Sequence, residues 1–233
     1  NSMSYTKYLF FRLKLSLQTS YYNYLYNSKT KPFKSIKSNY IFFAAQLQPE
    51  ALTTTFAGYY QDVFSILDIL SSSKNETDKI IYKEHPDTFA QGEPFYSPLY
   101  KDKNYWDKIF NYKDLNIISQ KENIYETIDK SLMLVTQSST TAIEAVIRGK
   151  PVLIFGNAWF SSCEGIFKIE NYQDCVDAIL KIKNGYKPDL KLVKKFLNSV
   201  AKSCYKGIIH DKFYEMSNEE IKKNNIRIAD LIH

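Results

Sequence analysis

From residue 132 to residue 156 the chain reads LMLVTQSSTTAIEAVIRGKPVLIFG, and no other stretch restricts its fold as much. Two apolar runs, 132–135 and 152–155, bracket an alanine-rich amphipathic segment at 142–148, with Gly149 and Pro151 as punctuation. This spacing predicts strand, turn, helix, turn, strand, a βαβ unit that forces the two strands to lie parallel. Thr136, Ser138, Ser139, Thr140 and Thr141 fall at the carboxyl end of the first strand and open the helix. Backbone N–H groups and the positive end of a helix converge at such a point, which makes it a candidate phosphate site.

At 233 residues the chain can bury a real core. Its net charge of +6 suits an anionic partner. The lysines are spread along the chain rather than bunched among aromatics, so nucleic acid is not called for. Cys163, Cys175 and Cys204 are odd in number and lack CxxC spacing, which fits a reducing cytoplasm better than a disulfide framework or a zinc site. No secretory signal is present, and no apolar run is long enough to span a bilayer. Asn1-Ser2 ahead of Met3 has the look of an expression remnant.

The pattern divides the chain into an N-terminal helix and basic connector (1–39), a Rossmann-like core (40–170) and C-terminal helices packing on that core (171–233). Residues 5–26 are rich in Leu, Tyr and Phe at helical spacing, with Lys7, Arg12 and Lys14 among them. Such a helix suits a membrane surface or, preferably, a linker packed on a domain outside this chain. Strands are expected at 41–45, 79–83, 115–119, 132–135 and 152–155. Helices are expected at 59–70, 102–110, 123–129, 142–148, 172–183, 190–203 and 218–232. Strands alternating with helices imply a parallel sheet covered on both faces. Ligands of such sheets bind beyond the carboxyl ends of the strands, where polar residues gather five times here.

His85 is the one histidine in the sheet region; His210 and His233 lie in the tail. Its imidazole can offset charge on a leaving phosphate, or simply cap a loop, and Pro86 fixes the turn beside it. Ser138, Ser139 and Thr140 can hold phosphate or serve as an ordinary helix cap. Glu144, about one turn on, can accept from ribose hydroxyls or sit in solvent. Glu50, in a loop of amides and hydroxyls, is a candidate acid or base, while Asp87, Glu93 and Tyr59-Tyr60 are less decided. Cys163 has no evident base, so nucleophilic catalysis is not expected of it. No Walker loop, GxGxxG or HExxH occurs, which argues against ordinary NTPases, dinucleotide oxidoreductases and zincins.

FFAAQLQPEALTT, KIIYKEHP and VTQSSTTAIEAVIRGKPVLIFGNAWF, in that order, resemble the capsule polysaccharide biosynthesis proteins, which include Kdo transferases and related enzymes using CMP-activated sugars. The resemblance covers 40–167. It implies the C-terminal, donor-binding half of a GT-B glycosyltransferase, with Gln48, Pro49 and Glu50 matching a QP motif. His85 and Pro86 match an HP motif in contact with donor phosphate, and Ser138, Ser139 and Thr140 match a hydroxyl-rich phosphate loop. Relatives often carry His before the QPE stretch; this chain has Gln46.

The sequence is therefore read as a donor nucleotide-sugar domain of a surface-polysaccharide glycosyltransferase, favouring a CMP-sugar and not turning over alone. His85 and Glu50 are the catalytic candidates. Lys83, Pro86, Ser138, Ser139, Thr140 and Glu144 are assigned to nucleotide and phosphate, and Gln46 and Gln48 to the donor sugar. Neither metal nor cofactor is called for, because Lys83, His85, the helix end and the hydroxyls can neutralise the phosphate. Expected partners are a glycan or glycolipid acceptor and an N-terminal acceptor domain. The expected location is the cytoplasm, at the inner face of the bacterial inner membrane if the first helix docks there. The rival readings are a UDP-GlcNAc 2-epimerase-like enzyme, which shares the serine turn followed by EA and GKPV, and a non-catalytic scaffold.

Overall fold

A computed structural model of the chain describes residues 4–36, 39–50, 53–55, 57–90, 97–204 and 217–229. The residues expected to be an expression remnant, Glu93, His210, His233 and the end of the last expected helix lie outside them. Two compact units are distinguished, Asn1–Val193 and Lys194–His233.

The first unit holds six parallel strands: β1 (Ile41–Ala44), β2 (Ile80–Lys83), β3 (Leu115–Ile118), β4 (Met133–Thr136), β5 (Val152–Ile154) and β6 (Ile166–Lys168). They are ordered β3-β2-β1-β4-β5-β6. Its helices are α1 (Tyr5–Lys29), α2 (Val63–Ser73), α3 (Ser97–Tyr100), α4 (Lys103–Asn111), α5 (Ile124–Lys130), α6 (Thr141–Ile147) and α7 (Tyr172–Lys183). α8 (Leu190–Ser203) starts in the first unit and continues into the second, which also contains α9 (Asn218–Ala229). The expected Rossmann-like parallel sheet flanked by helices is what forms.

Alternation along each strand sorts the core. Phe43, Tyr82, Val135, Leu153 and Phe155 share one apolar cluster with Tyr22 and Tyr26 of α1, Leu67 and Leu70 of α2, Trp106 and Ile109 of α4, and Ile179 and Ile182 of α7. Phe42, Ile81 and Leu134 point the other way and are equally buried, as are Ile128 of α5 and Ala142, Ala145 and Val146 of α6. Strands buried on both faces read as continuous apolar runs, which is why β1, β2 and β4 are conspicuous in the sequence.

The expected βαβ unit is β4, α6 and β5, with Leu134 opposite Val152 and Thr136 opposite Ile154. One expectation needs correction. The helix expected over 59–70 is a 3-10 turn at Gly58–Gln61 followed by α2. The break comes where the Asp62 carboxylate accepts the Phe64 N–H at 3.0 Å and caps a new helix. After β2 come a 3-10 turn at Pro86–Phe89 and the single turn α3. After Gly165 the described chain is mostly helical, and the short strand β6 pairs with β5 there.

Candidate functional site

Strand order reverses between β1 and β4, and the loops that leave these strands on opposite sides open a crevice at their carboxyl ends. A cavity of about 390 Å³ lies there, lined by Ala44 and Ala45 at the end of β1, Lys83 to Pro86 at the end of β2, Gln120, Glu122, Ile124 and Tyr125 after β3, and Ser139, Thr141 and Glu144 at the start of α6. A larger groove of about 650 Å³, between Phe64 and Asp68 of α2 and Lys108 of α4, reaches Asp114 at the opposite, amino end of β3. The smaller cavity is the candidate site, because several strand ends among the described residues deliver polar side chains to it together.

Lys83 ends β2 and is 5% exposed. Burial pushes its ammonium below the ordinary lysine value, although Glu84 and Glu122 pull the other way. Among the described residues it forms no ion pair. His85 has extended backbone and precedes Pro86, whose fixed φ starts the 3-10 turn. Its Nδ1 accepts the Asp87 N–H at 3.1 Å. In the neutral ring the proton therefore sits on Nε2, and the imidazole faces a ligand as a donor.

The turn after β4 is held from several sides. Gln137 accepts from Phe155 N–H at 3.1 Å and Gly156 N–H at 2.8 Å, and its Nε2 donates to the Tyr60 carbonyl at 2.7 Å. Ser139 Oγ donates to Thr141 Oγ1 at 3.0 Å and accepts the Thr141 N–H at 3.3 Å, so it caps α6 itself. Ser138 N–H is taken by Gln46 Oε1 at 2.6 Å.

The cavity thus brings together Lys83, His85, Pro86, Ser139 and Glu144 of the expected residues. Gln46, Gln48, Glu50, Ser138 and Thr140 do not line it. Gln46 and Gln48 are buried and serve the chain: Gln46 holds Ser138, and Gln48 Nε2 donates to the Gln61 carbonyl at 2.8 Å. Pro49 follows Gln48 through a cis peptide. Glu50 is exposed in a turn whose carbonyl accepts Thr53 and Thr54 N–H at 3.0 and 2.9 Å. Thr140 is exposed at the start of α6.

Three lining residues escaped sequence reasoning: Glu122, Ile124 and Tyr125. Glu122 leads into α5 and Ile124 and Tyr125 open it, where Asn123 Oδ1 accepts Tyr125 and Glu126 N–H and caps the helix beside the cavity. The signal was the Asn123 cap itself. Gln120, also lining, donates from Nε2 to Asn23 Oδ1 at 3.1 Å and leaves its buried Oε1 without a partner. The Arg148 guanidinium, paired to Asp129, stacks 5.2 Å above the Tyr125 ring and fixes that wall.

Among the described residues no group of three His, Cys, Asp or Glu is placed to hold a metal ion, and no helix is long and apolar enough to cross a membrane.

A model of the family described as capsule polysaccharide biosynthesis protein matches residues 6–214. No curated protein is significantly similar. Among solved structures the chain is similar to the UDP-GlcNAc 2-epimerase of Methanocaldococcus jannaschii, at 15% identity and TM-score 0.47, covering 82% of this chain and 52% of that one. It is similar to the UDP-GlcNAc 2-epimerase of Neisseria meningitidis bound to UDP-GlcNAc, at 15% identity and TM-score 0.43 over 82% and 52% of the two chains. It is also similar to the KpsC beta Kdo 2,7 transferase of Thermosulfurimonas dismutans, at 19% identity and TM-score 0.39 over 83% and 67%. The chain spans about half the length of the epimerases it matches.

Proposed function

The chain belongs to the capsule polysaccharide biosynthesis protein family, and from that premise we propose that its strand-end cavity binds the nucleotide-activated sugar used by a surface-polysaccharide glycosyltransferase. The donor we favour is CMP-linked. One observation carries this reading: Lys83 brings a buried ammonium, free of any ion pair among the described residues, to the wall of a cavity that His85 also lines.

The charges support a single phosphate. Of the carboxylates around the cavity, Glu84 is already paired to Lys101 at 2.7 Å. Glu122 and Glu144 add carboxylates to a lining whose one lysine is Lys83, a balance that suits the single negative charge at the phosphate of a CMP-sugar better than the added charge of a diphosphate. As the sugar departs, negative charge grows on that phosphate. The Lys83 ammonium and the His85 Nε2–H stabilise it in a space where water is scarce. The Ser139–Thr141 hydroxyl pair, one proton of which is engaged within the pair, offers its other proton to the same group. Glu144 and Gln120 are acceptors for ribose or base, and the Tyr125 ring supplies an apolar wall.

Glu50 has no part in this account, since its carboxylate lies outside the cavity lining. Acceptor binding is assigned to no residue in the cavity, so binding rather than turnover is the proper test. Calorimetric titration with CMP, CMP-Kdo, CMP-sialic acid, UDP, UDP-GlcNAc and GDP should show the CMP species binding best. Lys83→Met keeps the buried aliphatic stem and removes the charge. It and His85→Ala should each weaken CMP binding about 10- to 100-fold, the loss expected for a charge-assisted hydrogen bond. Preference for UDP-GlcNAc would shift the reading to the epimerase-like one, and silence toward every nucleotide would end it.

A further inference from the structure

The three strand-end motifs that the sequence offers separately are joined by one buried ion pair whose lysine no motif contains. Glu84, between Lys83 and His85, is completely buried, and Lys101, between α3 and α4, is 1% exposed. Glu84 Oε1 accepts from Lys101 Nζ at 2.7 Å, from the His85 N–H at 2.8 Å and from Thr88 Oγ1 at 3.1 Å. Its Oε2 accepts from the Tyr82 hydroxyl at 2.8 Å, which in turn meets the Tyr105 hydroxyl at 2.9 Å. Lys101 Nζ also donates to the Gln46 carbonyl at 3.2 Å, and Gln46 Oε1 accepts the Ser138 N–H.

We infer that Lys101 and Glu84 are positioning residues, a buried link that sets the His85 segment after β2 against the Ser138 turn after β4. The bonds run without interruption from the His85 N–H through Glu84, Lys101 and Gln46 to the Ser138 N–H. A buried pair of this kind contributes little net stability, because desolvation offsets most of the Coulombic gain. What it supplies is geometry. Glu84 fixes the peptide from which the His85 ring projects, and Gln46 fixes the peptide that precedes Ser139. Both rings of contact must hold if Lys83, His85 and Ser139 are to converge on one phosphate, since misplacement by an ångström is costly at such sites. This inference rests on the donor-binding reading for its purpose, but not for its geometry.

Amide hydrogen exchange reads the geometry without any ligand. In Lys101→Met we expect exchange at His85 and at Ser138 to rise together by at least about tenfold, while Phe43 and Leu134 in the central strands keep their rates. Glu84→Gln/Lys101→Met leaves no unpaired charge inside and is the second variant, should the first fail to fold. In it the Ser138 amide should still exchange faster. A uniform rise at all amides, no change at Ser138, or collapse of both variants would overturn the positioning role. A calorimetric titration with CMP then separates the two readings. If the unaltered chain binds no nucleotide, the donor-site proposal fails and the exchange result stands. If Lys101→Met loosens both segments yet binds CMP as tightly as the unaltered chain, the positioning role fails and the donor site stands.

Discussion

Lys83 holds its charge where water cannot help it, and that has a consequence for pH. Burial disfavours the ammonium, so the folded chain releases this proton at a lower pH than the unfolded chain, whose lysine has its ordinary value near 10.5. Between the two values the unfolded state binds more protons, so at this site stability rises with pH. Anion binding runs in the opposite direction, because only the ammonium attracts phosphate. The affinity for CMP should therefore fall as pH rises through the alkaline range, beginning earlier than an exposed lysine would allow. CMP's own second ionisation, near pH ~6, is complete by then and adds nothing. Titration calorimetry across that range, in buffers of differing ionisation enthalpy, should also show proton uptake on binding. Lys83→Met should flatten both trends; a flat profile in the unaltered chain, or the same fall in the variant, counts against Lys83 as the phosphate's cation.

At the scale of elements, two glycines on either side of β5 do different jobs. Gly149 ends α6 with φ of +75°, and a side chain there would meet nothing within 4 Å. Gly165 leads into β6 with φ of +88°, and a Cβ on it would lie 2.6 Å from Pro188 Cγ. Gly149→Ala should therefore cost about 1 kcal/mol, for the left-handed backbone alone. Gly165→Ala adds overpacking and should cost about 2–4 kcal/mol. Denaturant unfolding of both variants measures the difference; equal losses would mean that Pro188 yields. β6 itself shows what the sequence conceals. Ile166-Phe167-Lys168 is three residues long, half-exposed and without alternation, and it becomes a strand only by pairing with β5. The interior strands were legible because burial on both faces leaves a continuous apolar run. That Lys83, His85 and Ser139 would line one cavity was legible because a parallel sheet sets its strand ends side by side. Glu50 was expected there and does not line the cavity, since order along the chain does not say which way a turn projects. Lys101 could not be found at all: it matters through Glu84 and Gln46, which lie 17 and 55 residues away in sequence.

For the molecule as a whole, α1 is the element whose place was hardest to foresee, because it is apolar on two sides. Leu15, Thr19, Tyr22 and Tyr26 are buried, while Phe10, Leu13, Leu17 and Tyr24 are exposed. The buried side does more than fill space. The Tyr26 hydroxyl donates to the Ile118 carbonyl at 2.7 Å and accepts the Glu84 N–H at 3.0 Å, and its ring meets Trp106 edge-on at 5.7 Å and Phe89 at 5.4 Å. α1 is thus built into the wall behind the candidate site, and the family match accordingly begins within it, at residue 6. Burying Leu15, Tyr22 and Tyr26 contributes about 1.5–3 kcal/mol each. Their sum is comparable to the 5–15 kcal/mol or so that separates a folded domain from its unfolded chain. Deleting residues 1–30 also strips the Glu84 N–H and the Ile118 carbonyl of their buried partner. The shortened chain should therefore lose its cooperative thermal transition, followed by circular dichroism. Leu13→Ser and Leu17→Ser on the exposed side should leave the midpoint of the full chain unchanged. A sharp transition in the shortened chain, close to that of the full one, would make α1 an appendage rather than part of the fold.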